Sequence, residues 1–178
     1  MQVFHGQYRS AIQVGPLIIK FPRLTHKLLQ AVWPRFSLKR SFRKNLWFWW
    51  HDVRWAWMWI REAIRQNWNE YRCWCALRSS YLAPVYFSCG VMSIMRYERG
   101  EYPTYEEWRH IVQKLRDLIG RQYFCRIDPH EHFMTNVVCA ERGYTFVDYG
   151  GSGSEFSMTD VFHQHDAAVR NILQSLSA

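Results

Sequence analysis

Two acidic positions in the second half of the chain have the surroundings of a divalent-cation site. Asp148 follows the apolar run 145–147 and precedes a turn, and the segment 127–136 before it contains Asp128 and Asn136. A carboxylate at a strand end, with a second carboxylate and an amide on the preceding loop, can hold Mg²⁺ and orient a hydroxyl in phosphoryl transfer. We therefore interpret the two segments as parts of one site.

The residues around these two carboxylates resemble motifs of the protein-kinase-like superfamily. Residues 127–130 read Ile-Asp-Pro-His, and residues 147–150 read Val-Asp-Tyr-Gly. Both are similar to patterns of the small bacterial and phage branch, which includes aminoglycoside phosphotransferases and lipopolysaccharide-core kinases. The resemblance implies an ATP- and Mg²⁺-dependent phosphotransferase in which Asp128 is the catalytic base and Asp148 binds the metal.

The first motif departs from the family in its spacing. The family places an Asn five residues after the catalytic Asp, whereas Asn136 here lies five residues after Glu131. Two assignments stay open. Either Asp128 is the base and His132 or Asn136 takes the metal-binding position, or Glu131 replaces the base and pairs with Asn136. We prefer Asp128 because its neighbours match the family pattern.

Features in the first hundred residues fall where the resemblance requires nucleotide-binding groups. Gly6 belongs to a hairpin that runs into the strand of Lys20, and the resemblance implies that this lysine binds nucleotide phosphates. Glu70 lies in a helical pattern and would be the ion-pair partner of Lys20. Two later strands lead to a hinge at which Met95 and Tyr97 would contact the nucleotide.

Each feature also has an ordinary structural explanation. An Asp-Tyr-Gly sequence is common in turns, and a single lysine at a strand end or glutamate on an amphipathic helix is usually solvated. The order of the motifs along the chain, more than any one of them, indicates the kinase-like fold.

Hydrophobic patterns predict the elements that would position these residues. We expect strands in residues 1–22 and 81–97, mostly helix from 24 to 75 with a break near Pro34, a capped helix from Thr104, a hairpin over 137–147 and a last helix from 157 to about 176. The predicted fold class is α+β. The resemblance implies a minimal bilobal kinase-like form, with an N-terminal lobe at 1–97 and a reduced C-terminal lobe at 98–178.

The chain is short for a kinase, with 28 residues after Gly150 and no segment like the one that docks substrates in the family. We expect a reduced substrate platform, and the acceptor, a protein or a small-molecule hydroxyl, is not specified. The alternative is a catalytically inactive pseudokinase that serves as a binding or regulatory module.

Basic and tryptophan residues are concentrated in the first half of the chain. Residues 1–72 hold 13 Lys and Arg against 3 Asp and Glu, so this part carries a surplus of +10 within a net charge of +8. The helical insertion predicted at 24–68, in the N-terminal lobe, carries most of the tryptophans. Asp52 and Arg54 interrupt its apolar run, so it is not a membrane span.

Three uses of this Trp- and Arg-rich insertion are open. Its rings can pack on the neighbouring lobe, a second subunit or another protein, which we favour because Trp is enriched at interfaces. The helix can instead lie on a membrane surface, or its rings can stack on single-stranded nucleic acid. We expect no nucleic-acid partner, because no nucleic-acid-binding module is recognised. The corresponding alternative function is that of a basic Trp-rich protein that binds a membrane or nucleic acid and has no nucleotide site.

The cysteines indicate a reducing environment. Their number is odd and the N-terminus shows no secretory signal, so we expect a cytoplasmic protein, with contact to the inner face of the membrane as one option. Small size and the resemblance suit a bacterial or phage product. No regular Cys/His spacing predicts a zinc site. The five thiols are Cys73, Cys75, Cys89, Cys125 and Cys139.

Overall fold

A computed structural model describes most of the chain, namely residues 2–5, 8–23, 41–119, 136–140, 143–150 and 158–175. The described part is an α+β structure with a five-stranded antiparallel sheet, a separate two-stranded hairpin and three helices. The predicted fold class is therefore confirmed at the α+β level. The predicted helical segment at 24–40, with its break near Pro34, lies outside the described residues.

The five-stranded sheet combines strands from two parts of the sequence. Its strands are β1 (Gln2–His5), β2 (Arg9–Val14), β3 (Leu17–Pro22), β4 (Val85–Ser88) and β5 (Ser93–Arg96). Their spatial order is β1-β2-β3-β5-β4, and every neighbouring pair is antiparallel. A two-residue turn joins β2 to β3, and Gly15 there has φ of +58°, a conformation that glycine adopts without steric cost. The strands predicted in both parts of the sequence are confirmed.

One helix, α1, runs without interruption for 36 residues over Phe42–Leu77. We predicted mostly helix from 24 to 75, and within the described residues this is confirmed from 42 onward; no break separates the predicted insertion at 24–68 from Glu70. Residues 42–77 contain no Pro or Gly, the residues that would end a helix, so one rod carries both the tryptophans and Glu70. It ends where Arg78 adopts the left-handed conformation and donates its backbone N–H to Trp74 O.

The remaining elements match their predicted positions. Helix α2 (Tyr105–Ile119) starts after Thr104, whose Oγ1 accepts from the N–H of Glu107 while Glu107 Oε2 accepts from the N–H of Thr104. This reciprocal pair is the capping box that the sequence predicts. Strands β6 (Val137–Ala140) and β7 (Gly143–Phe146) pair as a hairpin, and helix α3 (Met158–Gln174) follows.

The main apolar core lies where the second half of α1, α2, α3 and the β6–β7 hairpin meet. Phe146 of β7 packs against Tyr81 and Phe162, and its backbone pairs with the segment that leads into β4. These contacts fix the end of β7, and with it Asp148, relative to α1 and the sheet. No helix in the described part of the chain is long and apolar enough to cross a membrane.

Candidate functional site

A row of buried polar side chains crosses the face of the five-stranded sheet that packs on α1. Lys20 of β3 pairs in register with Ser93 of β5, which pairs in turn with Ser88 of β4. Arg9 of β2 lies two residues from Ala11, the cross-strand partner of Lys20. Side chains two residues apart and directly opposite residues share one face of a sheet, so these polar groups line the same side. All four are buried.

Helix α1 meets this row with two polar residues of its own. Asn67 and Glu70 are one turn apart and are both fully buried. The Asn67 Oδ1 accepts from Arg9 Nη1 at 2.9 Å and from Ser93 Oγ at 3.2 Å, and its Nδ2 donates to Gly90 O at 2.6 Å. The amide thus uses both of its ends to fix α1 against the sheet.

Glu70 binds both cations of the sheet. Its carboxylate receives Arg9 Nη1 at 2.9 Å and Nη2 at 2.8 Å, which is a bidentate pair, and Lys20 Nζ lies 2.9 Å from Oε1. A buried carboxylate is costly unless it is paired and hydrogen-bonded, and this one accepts three hydrogen bonds from two cations. The predicted Lys20–Glu70 ion pair is therefore present.

Asp148 reaches the same cluster from the end of β7. It forms an ion pair with Arg9, and its Oδ1 lies 3.8 Å from Lys20 Nζ. Lys20 also donates to the carbonyl of Val147 at 2.7 Å, and the N–H of Gly150 donates to Glu70 at 3.4 Å. The Asp148 side chain is 42% exposed, whereas the other three charged groups are buried, so it is the part of the cluster that faces solvent.

The four charged groups balance one another and shift the ionisation of two members. Burial opposes the charge of Glu70, but Arg9 and Lys20 outweigh it and lower the pKa of this carboxyl from 4.5 to about 2. Burial likewise opposes the charge of Arg9, yet Asp148 and Glu70 raise its pKa above the ordinary value. Glu70 and Arg9 are therefore both held in their charged forms by their partners in the cluster.

The other predicted residues fall in different places. The backbone carbonyl of Asn136 accepts from the N–H groups of Val147 at 2.8 Å and Asp148 at 3.4 Å, so Asn136 lies beside Asp148. Met95 is buried in the apolar core, and the N–H of Tyr97 donates to Pro16 O at 2.8 Å. Four predicted site residues lie outside the described part of the chain: Gly6, Asp128, Glu131 and His132.

Sequence reasoning missed Arg9 and Asn67. The signal for Arg9 was present, because a two-residue turn between β2 and β3 places Ala11 opposite Lys20 and therefore Arg9 on the face of Lys20. Asn67 could have been found from its position one helical turn before Glu70. Neither residue belongs to a motif, which is why motif order alone did not reveal them.

The site contains few of the side chains that form protein-only metal centres. Within the described residues, no three or more His, Cys, Asp and Glu side chains are grouped so that they could hold a metal ion. Asp148 and the adjacent Asn136 supply oxygen donors of the kind that Mg²⁺ takes when phosphates complete its coordination. Comparison with protein-family models, curated proteins and solved structures gives no match to this chain.

Proposed function

We propose that this protein is an ATP- and Mg²⁺-dependent phosphotransferase of kinase-like type that acts on a protein or small-molecule hydroxyl. The observation that carries the proposal is the convergence of Lys20, Glu70 and Asp148, which come from three distant parts of the sequence. Protein kinases require a lysine on the third strand, a helix glutamate that pairs with it, and a metal-binding aspartate. Lys20 lies on β3, and its partner Glu70 lies on the helix that packs on the sheet.

The proposed roles follow from what each side chain can do. Lys20 and Arg9 are cations beside a half-exposed carboxylate, so they suit the phosphate oxygens of a nucleotide. Glu70 holds Lys20 in place. Asp148 and Asn136 would hold Mg²⁺, with His132 as the alternative to Asn136. Bound ATP would supply the phosphoryl group, and Mg²⁺ would neutralise charge on its oxygens.

The hydroxyl acceptor requires a base, and the sequence motif assigns this role to Asp128. The kinase-like bilobal arrangement, with lobes at 1–97 and 98–178, is part of the same proposal. It is supported by the strand order of the sheet, by the packing of α1 on it and by the position of the β6–β7 hairpin before Asp148.

A second candidate function is a catalytically inactive kinase-like binding module. The observation that favours it is the ion pair between Arg9 and Asp148, which neutralises the candidate metal ligand with a side chain of the same protein. A nucleotide could still bind to such a site. Transfer of phosphate requires in addition that Asp148 exchange Arg9 for a metal ion or share its carboxylate between the two.

Nucleotide binding is tested by thermal unfolding of the full chain with and without ATP and Mg²⁺. At a free ligand concentration of 100 times Kd, binding stabilises a protein by about 2.7 kcal/mol, or about 5 to 10 °C in Tm at this chain length. We expect this shift in the native protein and in the control Asp117→Asn, which changes an exposed carboxylate of α2. Asp148→Asn should remove the Mg²⁺-dependent part of the shift while keeping the fold.

Phosphate release and autophosphorylation then separate the two candidates. Turnover that Asp128→Asn abolishes, while the ATP-dependent Tm shift persists, supports the phosphotransferase and identifies the base. Turnover lost only in Glu131→Gln would assign the base to Glu131. A Tm shift without any turnover supports the inactive module. The same Tm with and without ATP would contradict both.

A further inference from the structure

The outward face of α1 combines tryptophans and arginines. The buried residues of this helix share one side and include Ala56, Ala63, Asn67 and Glu70. At about 100° per residue, the opposite side presents the following exposed residues: Arg43, Trp47, Trp50, Arg54, Trp57 and Arg61. Trp47, Trp50 and Trp57 are 62%, 56% and 64% exposed. Large rings at such exposure are uncommon on a surface that only meets water.

The charge on this face has one sign. Arg65 and Arg72 continue the row of exposed arginines toward the end of the helix. Of the acidic residues of α1, Glu70 is buried, and Asp52 lies about five turns earlier on the same packed side. Glu62 is paired with Arg65 at 2.6 Å. The outward face is therefore a cationic strip between apolar rings.

A second set of rings on α1 contacts one another. Trp47, His51, Trp55 and Trp59 follow at four-residue intervals, with ring centroids 5.7, 6.3 and 6.5 Å apart, and Tyr8 continues the row at 5.1 Å from Trp59. These rings lie along the flank of the outward face and stabilise the helix by their mutual packing. Their faces are partly covered by neighbours within the chain.

We propose that this outward face of α1 binds the surface of a membrane containing anionic phospholipids. Arginines attract the phosphates of the headgroups, and tryptophan rings sit at the boundary between headgroups and acyl chains. The helix rises about 30 Å over residues 42–61, so a flat surface can meet several of these side chains at once.

Two other occupants fit the observations less well. A second copy joined by the same face would oppose one row of arginines with another, which is repulsive. Single-stranded nucleic acid prefers a groove lined by open rings, whereas this face is the convex side of a helix and the flanking rings stack on one another. The positive charge of the arginines suits anionic headgroups, and the exposed tryptophan rings suit the boundary between headgroups and acyl chains.

Sedimentation of the full chain with vesicles tests the proposal. We compare vesicles of phosphatidylcholine alone with vesicles that also contain phosphatidylglycerol. Binding should require the anionic lipid and weaken as salt is added. Arg54→Gln with Arg61→Gln should reduce the partition coefficient about 25-fold, about fivefold for each charge. Trp50→Ala with Trp57→Ala should reduce it several-fold by removing the inserted rings.

Matched controls change similar residues elsewhere. Arg109→Gln removes an exposed charge from α2, and Tyr86→Ala removes an aromatic ring of β4 that is as exposed as Trp50. Both should bind vesicles as the native chain does, and circular dichroism verifies that each variant is folded. Equal binding of all variants would overturn the proposal.

Absence of vesicle binding would also overturn it, and two further measurements then identify the occupant. Binding of a single-stranded oligonucleotide that the arginine pair abolishes would point to nucleic acid. Self-association in analytical ultracentrifugation that the tryptophan pair abolishes would point to a second copy.

Discussion

Arg9 forms ion pairs with both carboxylates of the site, Glu70 and Asp148. Together with Lys20 it neutralises Glu70 and Asp148 within a largely buried cluster. Removing one member of a buried ion pair leaves an uncompensated charge, which typically destabilises a protein by about 3 to 5 kcal/mol. If Asp148 held Mg²⁺, the metal ion would have to share or replace the contact with Arg9, and the proposed activity depends on that exchange of partners.

The ionisation of Glu70 gives a pH prediction at this scale. Its pKa is about 2 in the folded protein and ordinarily 4.5. Between these values the unfolded chain binds a proton that the folded chain does not, so stability present above about pH 4.5 is lost as the pH falls toward 2. We expect this group to contribute on the order of 3 kcal/mol to the loss. Urea unfolding at a series of decreasing pH values measures this decrease in the free energy of unfolding.

Two variants isolate the contribution of Glu70. Glu70→Gln cannot ionise, so its free energy of unfolding should lack this part of the acid dependence, although the variant is less stable at neutral pH. Glu106→Gln changes an exposed carboxylate in the first turn of α2 and should retain the native slope. Equal slopes for all three proteins would show that the ion pairs of Glu70 do not persist in solution.

At the scale of elements, local sequence signals predicted most boundaries. The alternating pattern around the β2–β3 turn and the Thr104–Glu107 spacing are signals that need no distant contact, and both elements formed as expected. The boundary at 68 came from the family pattern, whereas the absence of Pro and Gly between 42 and 77 favours the single helix that is observed. The close contact between Gly150 and α1 joins residues that are 80 or more positions apart in the sequence. A single sequence does not show which distant segments meet.

Gly150 allows the segment after β7 to approach the backbone of α1. A Cβ atom at this position would collide with the carbonyl oxygen of Gln66 and lie 2.8 Å from Cγ of Glu70. We expect Gly150→Ala to cost about 1 to 3 kcal/mol through overpacking. Because Asp148 is two residues away, the displacement should also weaken the Mg²⁺-dependent response to ATP. Urea unfolding and the ATP-dependent Tm shift measure the two effects.

Gly15 offers a comparison in which a side chain has room. Its Cβ would meet no atom within 4 Å, and Asn tolerates its positive φ better than most residues. Gly15→Asn should change stability by less than Gly150→Ala and leave the ATP response intact. If the two variants had the same stability and the same ATP-dependent Tm shift, the close approach of Gly150 to α1 would not be needed to position Asp148.

Over the whole molecule, α1 connects an exposed face and a largely buried cluster of different chemistry. Its first half carries the exposed tryptophans of the outward face, and its second half carries Asn67 and Glu70 in the charged cluster. Of the 13 Lys and Arg in the first 72 residues, two lie in the charged cluster and five lie along the outward face: Arg9 and Lys20 in the cluster, and Arg43, Arg54, Arg61, Arg65 and Arg72 on the face. A phosphate site needs only a few of these charges, which is why the outward arginines call for a separate explanation.

This arrangement predicts that the two proposed activities can be removed separately. Trp57 precedes Glu70 by 13 residues, or about 20 Å along the helix, and sites so far apart without shared partners usually act independently. Trp50→Ala with Trp57→Ala should reduce vesicle binding several-fold and keep the Tm shift with ATP and Mg²⁺. Asp148→Asn should lose the Mg²⁺-dependent shift and keep vesicle binding.

Within the described residues, the ring row from Trp47 to Tyr8 connects these two regions in addition to α1 itself, and the independence could fail along it because Tyr8 adjoins Arg9 in the sequence. Trp50 and Trp57 lie outside that row, so changing them leaves its ring contacts in place. If the tryptophan pair nevertheless reduced the ATP response while circular dichroism stayed native, the two halves of α1 would be energetically coupled. Vesicles would then have to change the affinity for ATP by the same factor by which ATP changes the affinity for vesicles, and titrating each in the presence of the other measures that factor.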